Sequence, residues 1–286
     1  MDTSFFCSTA LLISILGTIF LGISALIFRS PFAIRVIQML MSVTAFFAAL
    51  AAIVFLLGDL TPVSAFLLGV PVQIDTLSAI FLLIIGVAAP MCQMYSISYL
   101  RNNSHYHIPS LLLCTALFVG GMEMVLVMTT PFSFFFAWEI MSVSSFFLIL
   151  ADREKPSIKA AMQYMTMTQV GAMAIILGLF TAGFQLFENF SVLVPVASLL
   201  IPFCFFFLGF GSKAGLVPLH LWLPAAHPQA PSHISALLSG VMLKMAVYAF
   251  LRFFFVLHPD LPPFFGAMVL FFGLFSAFFG VLHAST

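Results

Sequence analysis

The sequence predicts an all-α polytopic membrane protein of about nine transmembrane helices, the seventh of them broken. Three observations predict it. Hydrophobic residues make up 63% of the 286 residues and charged residues only 6%, against about 25% charged in a water-soluble domain. The apolar residues fall into stretches of about 20, the length that crosses a bilayer as a helix. One stretch is too long for a single crossing and holds glycines, a proline and a lysine. The 37 Phe residues exclude a disordered chain, and zero net charge leaves no electrostatic footprint for nucleic acid.

Span one, residues 5–28, follows an N-terminus without a basic leader or a small-residue cleavage site, so it reads as a retained helix. Spans two and three, 36–57 and 76–97, complete an N-terminal group over residues 1–105. Between them GDLTPVSAFLLGVPVQID is apolar but interrupted by Pro62, Gly69 and Pro71. Pro removes a helix donor, so this segment reads as an interfacial excursion. Spans four to eight, 109–129, 131–151, 158–184, 192–226 and 231–256, occupy residues 106–258, and span nine, 263–283, lies in the final stretch 259–286.

Charges between the spans alternate. Loops after spans one, three and five carry Arg29, Arg35, Arg101, Arg153, Lys155 and Lys159. Those after spans two, six and eight carry Asp59, Asp75, Glu188 and Asp260, with Arg252 as the single basic residue nearby. Because basic residues stay cytoplasmic, the expected topology is a multi-pass protein of the cell inner membrane with its N-terminus outside.

The seventh candidate would extend about 50 Å as one helix, well beyond a hydrocarbon core of about 30 Å. Its later part, GFGSKAGLVPLHLWLPAAHP, places Gly209, Gly211, Gly215 and Pro218 around Lys213. Gly weakens a helix and Pro cannot donate to the carbonyl four residues back. Irregular backbone at membrane depth persists only where protein or a hydrated cavity covers it, and broken helices mark ion and substrate sites in transporters.

Four ionisable residues fall inside spans: Glu123 in the fourth, Glu139 in the fifth, Lys213 in the seventh and Lys244 in the eighth. Each costs about 2.5–3.5 kcal/mol at the bilayer centre even on the lenient insertion scale, so pairing or hydration must offset them. Glu139, Lys213 and Lys244 suit proton relay, because a Glu–Lys couple changes protonation as its members approach and separate; a static buried ion pair is the alternative. Glu123 fits equally a face toward a neighbouring subunit and an internal hydrogen bond. His220, His227 and His233 fall within fourteen residues beside the break. Imidazole titrates near neutral pH, which suits a hydrated proton entry path or helix-end hydrogen bonding; the spacing matches no compact metal motif. Cys7, Cys92, Cys114 and Cys204 are scattered through apolar stretches, with no CxxC. Neither an iron–sulfur series nor a dinucleotide fingerprint occurs, so the reading is a non-catalytic subunit with no cofactor and no metal.

The stretch FSFFFAWEIMSVSSFFLI (132–149) resembles the fifth helix of the proton-antiporter-like membrane subunits shared by respiratory complex I, Mrp-type cation/proton antiporters and energy-converting hydrogenases. FGSKAGLVPLHLWLPAAHPQAPSHISALLSGVMLKMAVYAFLRF (210–253) resembles that family's interrupted seventh helix and its eighth. Together with IDTLSAIFLLIIG, YSISYLR and KPSIKAAMQY, the likeness is strongest to the hydrogenase-4 component B and formate hydrogenlyase subunit 3 group. The resemblance implies that Glu139 is the helix-five glutamate, Lys213 the helix-seven lysine tuned by it, and Lys244 the helix-eight lysine that passes the proton laterally. It implies that His220, His227 and His233 help to hydrate the cytoplasmic half-channel. Helices four to eight would then be the first of two inverted five-helix repeats.

Two departures stand out. Glu123 lies where an apolar residue is usual, and the chain stops where the ninth helix enters the second repeat. The expectation is therefore the N-terminal half of a proton-translocating membrane subunit. Its partners would be other membrane subunits, a hydrogenase- or NADH-dehydrogenase-like redox arm and a second polypeptide carrying the C-terminal half. The coupling ion is a proton or sodium. Alternatives are an Mrp-type antiporter subunit or a non-functional truncated fragment.

Overall fold

The structure is a computed structural model that describes residues 3–103, 105–185, 188–190, 199–256 and 261–284. Asp260 and the beginning of the seventh candidate span, 192–198, lie outside the described residues.

Two long helices, α1 (Thr3–Ile27) and α2 (Pro31–Leu57), open the fold. The turn between them starts α2 cleanly: Ser30 accepts from the Ala33 N–H, and Pro31 occupies the first turn, where its missing donor costs nothing. The segment expected as an interfacial excursion is a β-hairpin, β1 (Val63–Leu67) and β2 (Val70–Ile74), in antiparallel register from Val63 opposite Ile74 to Leu67 opposite Val70. Leu68 and Gly69 turn it with positive φ at both positions (50° and 85°), the geometry of a tight two-residue hairpin loop. An isolated bridge from Val72 to Met128 and the Thr129 hydroxyl donating to the Pro71 carbonyl (2.9 Å) seat the hairpin on the connection between the fourth and fifth helices.

Asp75 and Ser78 form a reciprocal capping box at the start of α3 (Thr76–Asn102). There follow α4 (Ile108–Val127), α5 (Pro131–Ile149) and α6 (Lys155–Thr181). The long seventh candidate resolves into α7 (Leu200–Ala214), only 15 residues, then turns and a four-residue α8 (Leu223–Ala226). The eighth runs as α9 (Ser232–Leu237) and α10 (Leu243–Leu251) with π-helical turns at Leu238–Met242 and Arg252–Val256; the apolar periodicity of this stretch had given no sign of them. Last comes α11 (Pro263–Ala284).

Among the described residues eight helices are long and apolar enough to cross a membrane, with α7 a shorter ninth. Nine spans were expected; the difference is the broken helix, which is too short on its own. Large apolar side chains such as Phe20, Phe32, Met91, Met173 and Phe271 point outward, as lipid-facing surfaces require. The interior of the α5–α7–α10 region is aromatic: Phe134, Trp138, Phe206, Phe210 and Phe253 meet at centroid distances of 5.0–6.3 Å. Helix α11 is the least covered of the spans, with most of its apolar stretch exposed.

Candidate functional site

Helix α7 ends at Gly215, which adopts a left-handed conformation (φ 77°, ψ 34°) and donates its N–H to the Gly211 carbonyl. A Cβ there would lie 2.1 Å from Leu223 Cδ1, so both the backbone angle and the space call for glycine. The break leaves carbonyls of the last turn without helical partners. Trp222 supplies one: its indole N–H donates to the Ser212 carbonyl at 2.8 Å. Close approach of α6 and α7 through Gly171 and Gly209 packs this end tightly. A Cβ on Gly171 would meet Ser212 Oγ at 2.1 Å, and one on Gly209 the Gly171 carbonyl at 2.8 Å.

Lys213 sits in that last turn, where the partial negative charge of a helix C-terminus favours a cation. Its side chain is 1% exposed. Nζ donates to Ser142 Oγ on α5 (2.8 Å) and to the Tyr164 hydroxyl on α6 (2.6 Å). It also lies 4.9 Å from the Tyr164 ring centre and 5.9 Å from that of Trp138, within range of cation–π attraction. The Tyr164 hydroxyl continues to Ser145 on α5 and approaches Met242 Sδ at the π-helical turn. Trp222 packs edge-on against the Tyr164 ring. Three helices therefore bring one ammonium and a short run of hydroxyls together in an apolar, aromatic pocket.

Glu139 lies one turn before Ser142 on α5 and is half-buried. Its Oε2 accepts from Gln169 Nε2 on α6 (2.9 Å), while Oε1 is buried without a hydrogen-bond partner among the described residues. Glu139 and Lys213 are thus held by the same two helices, α5 and α6, yet no ion pair joins them among the described residues. The buried static pair weighed from the sequence is not what the structure shows.

Lys244 departs from expectation. Instead of pointing into the bundle it is exposed on the outer face, and its Nζ donates to the Ser239 carbonyl in the π-helical turn (2.7 Å). Depth in the span had suggested burial; the π turn rotates this part of the helix and offers a carbonyl on its outer side.

The histidines, close in sequence, diverge in space. His220 packs against Phe279 of α11 with its Nδ1 buried and unpartnered, and His227 meets Ser235 (Nδ1 to Oγ, 3.4 Å). His233 is buried, edge-on to Tyr99 of α3 at 5.5 Å, its Nδ1 also unpartnered. They form no single cluster. Glu123 is buried between α4 and α1, and Ser14 Oγ donates to its Oε1 (2.8 Å) while Oε2 has no partner among the described residues. Of its two readings the internal hydrogen bond is the one the structure holds.

Sequence reasoning overlooked Ser142, Ser145, Tyr164, Gln169 and Trp222. A signal existed for two of them. Ser142 follows Glu139 by three residues, on the same helical face, and Tyr164 is a polar aromatic ring within an apolar span, whose hydroxyl needs a buried partner.

Residues 130–286 match the family described as NADH:quinone oxidoreductase/Mrp antiporter, TM, and residues 60–107 match the N-terminal region of complex I chain 5. Hydrogenase-4 component B of Escherichia coli (strain K12) is 37% identical over 221 residues, covering 74% of this chain and 33% of the relative. NADH-quinone oxidoreductase subunit M of the same strain is 30% identical over 247 residues, covering 79% and 47%. The chain thus spans between a third and a half of these relatives' lengths. Among solved structures, a chain of the membrane-bound sulfane sulfur reductase, an archaeal respiratory membrane complex, superposes with a TM-score of 0.69 at 18% identity, covering 86% of this chain and 52% of the other. A chain of the Mrp complex of Dietzia sp. DQ12-45-1b gives 0.65 at 19% identity, covering 88% and 48%. Both show the same fold. The family match extends over more than half of the chain and includes the broken helix with Lys213: this multi-pass membrane protein belongs to the NADH:quinone oxidoreductase/Mrp antiporter transmembrane family.

Proposed function

We propose that this chain is the proton-handling part of a membrane subunit in a proton-translocating complex. Protons pass between Glu139 and Lys213, and the driving force comes from a hydrogenase- or NADH-dehydrogenase-like redox partner. The observation that carries the reading is Lys213 itself: an ammonium sealed from the surface at a broken helix end, held by hydroxyls instead of a carboxylate. A lysine paired directly with a carboxylate is fixed in its charged form. One held by Ser142 and Tyr164 can lose its proton to a hydroxyl-and-water chain and regain it when Glu139 swings toward it. Ser142, one turn along from Glu139 on the same helix, holds the lysine end of this route. Lys244, exposed on α10, hands the charge onward to whatever packs against that helix. His220, His227 and His233, which do not gather into one cluster, serve as hydrating groups of the entry path. The basic loops support an orientation in the inner membrane with the N-terminus outside and these histidines toward the cytoplasm.

Proton pumping by the assembled complex in sealed vesicles tests this. Lys213→Met and Glu139→Gln should each abolish pumping while the redox partner still turns over artificial acceptors. Full pumping in both variants would reject the relay. Exchange of sodium for protons with no redox substrate present would instead support antiport of the Mrp type.

A further inference from the structure

At the end of the bundle that carries Arg29, Arg35 and Arg101, a groove of about 240 Å³ opens between α2 and α3, closed on one side by the start of α4. Arg35 and Arg101 stand at its mouth, Ile34, Ile97 and Ile108 line its walls, and Gln38 closes its inner end. Both arginines are exposed, whereas Gln38 is 3% exposed. Gln38 Nε2 donates to Ser96 Oγ (3.1 Å), and Ser96 Oγ in turn donates to the Gln93 carbonyl (2.6 Å). The Gln93 side-chain amide is buried with neither its N nor its O bonded among the described residues. Polar groups therefore continue inward from two arginines whose guanidinium groups make no ion pair among the described residues. Neither α2 nor α3 contains an acidic residue.

We propose that this groove binds an anionic phospholipid of the adjoining leaflet. Its phosphodiester would lie between Arg35 and Arg101, and a headgroup hydroxyl would reach toward Gln38. The chemistry favours this occupant on three counts. Two guanidinium forks can each bind phosphate oxygens bidentately. Basic pockets between transmembrane helices select anionic headgroups. The exposed apolar side chains beyond the mouth, Met39 and Leu40 on α2 and Met91 and Met94 on α3, provide a surface along which acyl chains can lie.

The full chain in phosphatidylcholine vesicles doped with spin-labelled lipid provides the test. Spin-labelled phosphatidylglycerol should be immobilised about tenfold more strongly than spin-labelled phosphatidylcholine. Arg35→Gln with Arg101→Gln should remove most of that selectivity. Arg35→Lys with Arg101→Lys should keep part of it, because the charge remains but the fork is lost, and this pair serves if the glutamine pair fails to insert. Arg29→Gln, which removes the same charge outside the groove, should leave selectivity intact, and excess inorganic phosphate should not displace the lipid. Equal immobilisation of both lipids by the unaltered chain, an Arg29→Gln loss as large as that of the Arg35→Gln and Arg101→Gln pair, or displacement by inorganic phosphate would each overturn the proposal.

Discussion

An ammonium enclosed by the Trp138 and Tyr164 rings keeps its charge only if oxygen atoms replace the water it has left. Lys213 has two, Ser142 Oγ and the Tyr164 hydroxyl. Removing one should slow the relay without stopping it: a hydrogen bond to a charged group contributes about 1.5–3 kcal/mol, so Tyr164→Phe should lower the pumping rate by about ten- to a hundredfold, measured in vesicles at constant redox turnover. An unchanged rate would show that Tyr164 only packs. Glu123 gives the opposite expectation, since Ser14 is its sole hydrogen-bond donor among the described residues. Ser14→Ala should destabilise the solubilised protein by about 1–3 kcal/mol, read as a lowered Tm, with pumping retained. Lys213 and Glu139 were legible in the sequence because a charge in an apolar span is conspicuous. Ser142 and Tyr164 carried only the weaker signals of spacing and a hydroxyl in an apolar span, because hydroxyl residues are tolerated almost anywhere along a helix, and nothing in a one-dimensional string says which one meets a lysine 71 or 49 positions away.

At the scale of elements, the break between α7 and α8 decides where Lys213 can be. Its end is fixed by Gly215 in the left-handed region, backed by Leu223 against the space a side chain would need. Gly215→Ala should cost about 1–3 kcal/mol for the backbone conformation, plus the displacement of Leu223, and should shift the lysine from its hydroxyls. Thermal unfolding and pumping should therefore fall together; a loss of stability with full pumping would separate the break from the relay. The sequence showed that this helix must break, through its excess length and its glycines. It gave no sign that the next one contains π turns, because a single extra residue per turn leaves apolar content unchanged and shifts only which face Lys244 occupies. The hairpin between α2 and α3 was recognised as non-spanning, but its strand pairing depends on contacts with Met128 and Thr129 in a different part of the chain.

Across the whole molecule, one ion pair ties distant ends together. Asp75, at the cap of α3, pairs with Arg252 at the end of the eighth span, and the Arg252 guanidinium also lies over the Tyr248 ring. Tyr248 in turn donates to the Leu126 carbonyl on α4 (2.6 Å). Burial pushes the Asp75 carboxyl up, but Arg252 and the Ser78 N–H pull it down further, so it lies below the ordinary carboxylate value. A depressed acid stabilises the fold above its unfolded value of about 4 and loses that contribution as pH falls through the lower folded value. The Tm difference between the unaltered protein and Asp75→Asn should thus be largest at neutral pH and vanish in strong acid. A difference independent of pH would show that the carboxylate's charge is irrelevant.

Composition and spacing by themselves determined that this chain is a bundle of membrane helices with a broken one at Lys213, because the bilayer imposes span length and penalises every charge within it. Only the tertiary structure decided who meets whom: that Lys213 rests on hydroxyls and not on Glu139, that Lys244 faces outward, and that three neighbouring histidines separate. Those outcomes depend on helix rotation and packing between segments far apart in sequence, and apolar periodicity carries no information about either when nearly every face of a helix is apolar.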